Sequence, residues 1–333
     1  MTNLRRHGAA LAAGLLSATI VLTACGSDDA DDTGAASTQT AETSETRTVT
    51  ADNGSIEVSA APRRIVTIGN TGQPIVDLGG KPVGITEVAA STLEKLPEDQ
   101  QATFAAATIV GPEGGEVDLE KVAGLTPDLI LVQLPDDEFE AIEKQLETIA
   151  PTLFYGLDTE WKAFADKLAE AGNLTQNLSA QKTEFAQRVS TVQEKYGKLI
   201  DGSTFVDVSR GDWNDPGTFY IADIGCSEIA RDDIGLDLPE AAAGQDPLAY
   251  ESLPFEQIGK LSEYDVITYP VEADGQPTEA FAPVVETNTW KALPTVTDGK
   301  ALGVFCPGNN SYGPVLQYLE SLERALAKLP AQE

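Results

Sequence analysis

Leu119-Glu120-Lys121-Val122-Ala123-Gly124-Leu125-Thr126-Pro127-Asp128-Leu129-Ile130-Leu131 decides the fold: a short helix with one apolar face runs into an Asp-flanked, apolar strand. The same order recurs as Phe255-Glu256-Gln257-Ile258-Gly259-Lys260-Leu261, then Ser262-Glu263-Tyr264-Asp265, then Val266-Ile267-Thr268, with the Asp one residue later. The recurrence reads as an internal echo; chance likeness between two helix-to-strand units is the alternative.

Outward from residues 119–131, short strands are expected at Arg64–Ile68, Pro82–Ile85, Ala107–Val110, Leu129–Val132 and Thr152–Tyr155, separated by amphipathic segments such as Glu138–Ile149. Ahead of them, Thr48–Ala51 and Ser55–Val58 flank Asp52-Asn53-Gly54, a strong hairpin signal. Trp161 to Leu199 is helical in pattern, with Gly172 and Gly197 expected to break it. Strands resume at Thr204–Val208, Val266–Tyr269 and Lys300–Phe305, and a helix closes the chain from Gly313 to Leu329. Alternation of strand and helix implies parallel sheets with covered faces. The expected fold class is α/β: a lobe over 48–172, a long bridging helix over 173–200 and a second lobe over 201–333, both sheets mainly parallel.

The N-terminus sets the compartment. Arg5-Arg6-His7, an apolar run from Ala9 to Leu22 and Thr23-Ala24-Cys25 form a secretory signal. The run is shorter than the ~20 apolar residues that cross a bilayer. Leu22-Thr23-Ala24-Cys25 resembles the lipobox of bacterial lipoproteins, so residues 1–24 are expected to be cleaved and Cys25 to carry the lipid. Residues 25–47 contain no large apolar side chain and read as a flexible acidic tether. The expected location is the extracytoplasmic face of the cell membrane, held by the lipid alone.

Composition narrows function mainly by exclusion. The formal charge of −31 becomes −33 once Arg5 and Arg6 leave with the signal, a surface that repels phosphate backbones and anionic lipid. Nucleic acid is therefore not an expected partner. The sole His7 and sole Met1 both lie in the cleaved segment. The mature chain thus lacks the usual zinc and copper ligands, and neither a Ser-His-Asp nor a Cys-His arrangement can be assembled. No catalytic residue, resident metal or cofactor is expected. Cys226 and Cys306 lie 80 residues apart and are expected to be bridged in an oxidising compartment, two buried free thiols being the alternative.

Pro62-Arg63-Arg64-Ile65-Val66-Thr67, Leu78-Gly79-Gly80-Lys81-Pro82-Val83-Gly84-Ile85 and the 119–131 stretch, in that order behind a lipobox, resemble the substrate-binding proteins of iron-siderophore and vitamin B12 ABC transporters. The resemblance runs from about Thr48 to Leu329. It implies two α/β lobes bridged by a rigid helix, ligand in a shallow cleft between them, slight closure, and Glu120 and Glu256 as the acidic residues that meet arginines on the permease. It supplies no bridge between Cys226 and Cys306.

Open α/β sheets place ligands at the carboxyl ends of their strands. That nominates Asn70, Thr71, Glu87 and Gln133 in the first lobe, and Arg210, Trp213, Tyr220, Arg231, Trp290 and Tyr312 in the second. Trp213 and Trp290 are open to packing as the alternative, and Tyr155 and Tyr269 are expected in the core. Aromatic faces with a guanidinium suit a bulky chelate with delocalised oxygens. The mature chain has only seven arginines, and Arg63 and Arg64 precede the first lobe's opening strand. A neutral hydroxamate or mixed chelate is therefore expected over an anionic tris-catecholate. The expected function is that of a monomeric, non-enzymatic binding lipoprotein that passes a ferric siderophore, iron entering only within the chelate, to an ABC permease and its ATPase. Haem or cobalamin is the alternative within transport, and a cell-envelope enzyme or structural lipoprotein the alternative outside it. Replacing the lipidated residue, Cys25→Ala, should release the protein from the membrane fraction on cell fractionation; full membrane retention would refute the anchor.

Overall fold

The computed structural model describes residues 45–210, 217–221, 226–239, 252–308 and 310–330. Residues 1–44, with the signal and Cys25, lie outside the described residues, as does Trp213. A hairpin, β1 (Thr46–Ala51) and β2 (Gly54–Ser59), opens the domain and turns at Asp52-Asn53. It begins inside the stretch read as tether. Arg47 explains this, because its guanidinium donates to the carbonyls of Glu170 and Ala171 at the end of helix Trp161–Gly172.

The first lobe is a parallel sheet of β3 (Ile65–Gly69), β4 (Gly84–Thr86), β5 (Thr108–Gly111), β6 (Leu129–Gln133) and β7 (Thr152–Phe154), in the order β5-β4-β3-β6-β7. Successive side chains alternate between two cores, as a strand covered on both faces requires. Ile65, Leu129, Leu131 and Leu153 pack under the hairpin and helix Trp161–Gly172, while Val66, Ile68, Ile130 and Val132 pack under helices Leu119–Gly124 and Asp136–Ile149.

The second lobe repeats this plan with β8 (Phe205–Arg210), β9 (Thr218–Ile221), β10 (Ser252–Pro254), β11 (Val266–Val271) and β12 (Ala301–Phe305), in the order β10-β9-β8-β11-β12. β8, β11 and β12 are parallel, and β9 and β10 are antiparallel to their neighbours. The echo in the sequence is an echo in space, since β6 and β11 hold the same place in their sheets. Its aspartates do the same work. Asp128 accepts from the backbone N–H of Arg63 and Arg64 at the start of β3, and Asp265 accepts from the N–H and hydroxyl of Thr204 at the start of β8.

Between the lobes runs one helix, Thr175–Asp201, about 40 Å long at 1.5 Å per residue. The helical stretch breaks at Asn173, in the left-handed conformation, just after Gly172. Gly197 does not break it: the helix passes through, with open space where a Cβ would sit.

The lobes also meet directly. Asp77, at the end of helix Gly72–Asp77, accepts from the N–H of Gly313 in the first turn of helix Tyr312–Leu326 (2.9 Å), from Gln100 (3.2 Å) and from Gln181 on the bridging helix (3.2 Å). Burial pushes its carboxyl pKa up, against those hydrogen bonds. Trp161 of the first lobe packs edge-on against Tyr312 of the second, and both against Phe185 of the bridging helix. A Cβ on Gly313 would sit 1.9 Å from a carboxylate oxygen of Asp77. Gly313→Ala should therefore cost about 1–3 kcal/mol of stability by overpacking the seam, read by denaturant unfolding; an unchanged midpoint would show that the seam is loose.

Candidate functional site

The carboxyl ends of both sheets open onto cavities. In the first lobe, a cavity of about 230 Å³ lies over the ends of β3 and β4, lined by Asn70, Gln73, Thr86, Glu87 and Glu113 with Asn310 from the second lobe. Gly69 makes it: its φ is +67°, and a Cβ there would meet the Gln133 carbonyl oxygen at 1.9 Å. Only glycine lets β3 turn this sharply against β6.

In the second lobe, a cavity of about 310 Å³ lies over β8, β11 and β12, lined by Asp207, Thr268, Tyr269, Tyr318, Cys226 and Cys306. The two cysteines are joined by a disulfide, with Cα atoms 6.1 Å apart. Asp207 accepts from the hydroxyls of Ser227 (2.5 Å) and Thr268 (2.7 Å). Burial pushes its pKa up, and those hydroxyls only partly offset it. The phenol of Tyr318 is pushed well up by burial and by the Asp207 charge. A third cavity, about 430 Å³, lies where Leu157–Lys162 faces Glu228–Asp233. There Lys162 pairs with Asp233 across the lobes at 2.7 Å.

The residues nominated from the sequence separate into groups. Asn70 and Glu87 are exposed and share the first cavity. Thr71 and Gln133 do not reach it. Thr71 is fully buried and donates to the carbonyls of Ile68 and Leu131, and Gln133 donates to the carbonyl of Gly156, so both pin strand ends from below. Trp290 is 4% exposed and packs edge-on against Tyr269 and Phe281, a core residue after all. Tyr312 is equally buried and belongs to the seam. Large aromatics bring the most apolar area to a core, which is why both went inward. Arg231 pairs with the neighbouring Asp232 at 2.8 Å, in the helical turn Ile229–Ile234 that touches the bridging helix. Tyr220 is half-buried in β9, between Ser209 of β8 and Ser252 of β10. Arg210 ends β8 opposite Phe219; its side chain, like Trp213, lies outside the described residues. Tyr155 is fully buried, and Tyr269 stacks on Phe281 while still lining the second cavity. Gln73 and Asp207 were not nominated. Asp207 carried a signal, a charge inside Phe205-Val206-Asp207-Val208.

The pattern of the family described as periplasmic binding protein matches residues 65–301, from the first strand of one lobe to the last strand of the other. The chain belongs to the periplasmic binding protein family. Two Bacillus subtilis proteins are similar along most of their length. One, YfiY, named a probable siderophore-binding lipoprotein, is 28% identical over 86% of this chain and 87% of its own. The other, the iron(3+)-hydroxamate-binding protein FhuD, is 27% identical over 89% of each. The solved siderophore periplasmic binding protein from the fuscachelin gene cluster of Thermobifida fusca shares the fold, with a TM-score of 0.69 and 24% identity over 82% of this chain and 99% of that one.

In this periplasmic binding protein Glu120 and Glu256 are both exposed, each in the first turn of the helix that precedes β6 or β11. They occupy equivalent places on the two lobes. Among the described residues no helix is long and apolar enough to cross a membrane, and no cluster of His, Cys, Asp or Glu is placed to hold a metal ion. Because the folded-state pKa of Asp207 lies above the ordinary aspartate value, the folded form binds its proton the more tightly. Stability should then fall as pH rises from the ordinary aspartate range through the raised pKa. Unfolding measured against pH should show the wild type losing stability relative to Asp207→Asn over that window; parallel curves would refute the shift.

Proposed function

We propose that the chain is the extracytoplasmic substrate-binding lipoprotein of an ABC importer, that it captures a ferric siderophore at the carboxyl ends of its two sheets, and that it hands the chelate to the permease. The observation that carries this reading is the family match spanning both lobes, joined to cavities at both sheet ends. The names of the two Bacillus relatives support siderophore capture and a lipid anchor. Binding without chemistry suits a mature chain that has no imidazole, so no enzymatic role, resident metal or cofactor is assigned, and iron arrives within the chelate. Glu120 and Glu256, one per lobe, would set the permease across both lobes at once.

Charge favours a neutral chelate. Among the described residues neither cavity is lined by Lys or Arg, while Glu87 and Glu113 line the first. Arg64 is spent on the carbonyls of Leu125 and Thr126 at the amino end of β3, and Arg47 on the helix that ends at Gly172. The tris-hydroxamate core of a ferric chelate is neutral, and ferrioxamine B adds one ammonium to it, whereas a ferric tris-catecholate is a polyanion. In a cavity with carboxylates and a molecule of charge −31, the polyanion meets a repulsive potential at short and long range. The hydroxamate named for FhuD agrees with that preference. Quenching of tryptophan fluorescence on titration with ferrioxamine B and with ferric enterobactin should show the hydroxamate binding at least about tenfold tighter, roughly 1.4 kcal/mol; tighter binding of the catecholate would overturn the preference.

A further inference from the structure

The floor of the first-lobe cavity carries two amides whose hydrogen bonding is incomplete. Gln73, just after β3, is only 9% exposed, and its Oε1 accepts from Nδ2 of Asn310 at 3.2 Å. Asn310 comes from the second lobe, ahead of helix Tyr312–Leu326. The other halves of both amides, Nε2 of Gln73 and Oδ1 of Asn310, are shut off from solvent without a partner, and both residues line the cavity. Exchanging the two ends of both amides leaves one donor and one acceptor free just the same. Buried polar atoms left unpaired are costly, so one on each of two amides that line the same cavity marks a place where something else completes them.

What completes them must offer an acceptor to Gln73 and a donor to Asn310. A carboxylate has no donor and would face Glu87 and Glu113 in the same cavity. An ammonium group would satisfy Oδ1 of Asn310 but could accept nothing from Gln73. A secondary amide carries both groups and no charge. We infer that Gln73 and Asn310 form a cross-lobe subsite for a secondary amide of the bound chelate, whose carbonyl accepts from Gln73 and whose N–H donates to Asn310. The inference rests on the siderophore reading and narrows it to chelates with amide-bearing backbones. Each lobe supplies half of the subsite, so the amide is held only while the lobes keep their seam.

The test uses ferrioxamine B, whose backbone carries secondary amides between its hydroxamates, and ferric tris(acetohydroxamate), a neutral chelate without them. Gln73→Leu should weaken ferrioxamine B roughly ten- to hundredfold, the range expected when a buried polar group loses its partner, and leave tris(acetohydroxamate) within about twofold. Asn310→Ala, at a half-buried loop position, should produce the same selectivity if Gln73→Leu fails to fold. Should only ferrioxamine B bind, the two losses must be less than additive in the double variant, as for groups that share one ligand amide. Equal losses for both chelates, fully additive losses, or no loss for ferrioxamine B would overturn the subsite. Wild-type protein that binds neither chelate would overturn the hydroxamate reading itself, and the subsite with it.

Discussion

One carboxylate, Asp77, ties three parts of the molecule together. It ends a helix of the first lobe, takes the amide of Gln181 on the bridging helix and takes the backbone N–H of Gly313 where the last helix of the second lobe begins. The geometry leaves no slack, since even a methyl group on Gly313 would collide with it. Burial makes the charged form costly, and the donors converge on it to offset that cost. Around this point Trp161, Phe185 and Tyr312 interlock from the same three parts. A helix of about 40 Å and a polar and aromatic seam therefore fix how far apart the two sheet ends stand.

That spacing creates the site. Each sheet delivers its carboxyl ends to the same side of its own lobe, and the seam brings Asn310 to the floor of a first-lobe cavity. A binding protein whose lobes are held at a set distance spends little free energy on closure, so affinity is set by complementarity of the walls. Those walls are acidic or neutral among the described residues, and the proposed preference against polyanions rests on that. Surface ion pairs such as Lys95 with Glu272, 3.9 Å apart and partly exposed, add little to the join.

Much of the fold was legible because apolar period reports burial. Leu129-Ile130-Leu131 and Val266-Ile267-Thr268 are strands covered on both faces, and a two-sided strand shows as an unbroken run. The strands that escaped notice, β9 and β10, are four and three residues long, and one ends in Pro254. Antiparallel pairing beside β8 gave them no distinctive signal. Gly197 leaves the helix unbroken because a single glycine inside a helix costs only about 1 kcal/mol against alanine. Arg47 misled in the other direction: it sits in a polar stretch, yet it satisfies helix-end carbonyls more than a hundred residues away. The site was harder to read. Aromatic side chains nominated for a ligand, Trp290 and Tyr312, serve the core and the seam, while Gln73 gains its meaning only from a partner 237 residues on.

The central claim is that a ferric chelate sits over the carboxyl ends of both sheets while the lobes keep their seam. The most direct measurement is a crystal structure of the domain loaded with ferrioxamine B, with diffraction data collected at the iron absorption edge to locate the metal. The expected result is an iron peak between the ends of β3 and β4 on one side and of β8 and β11 on the other, with the Asp77 to Gly313 hydrogen bond intact. Iron bound elsewhere, or between lobes that have swung together and broken that hydrogen bond, would contradict it.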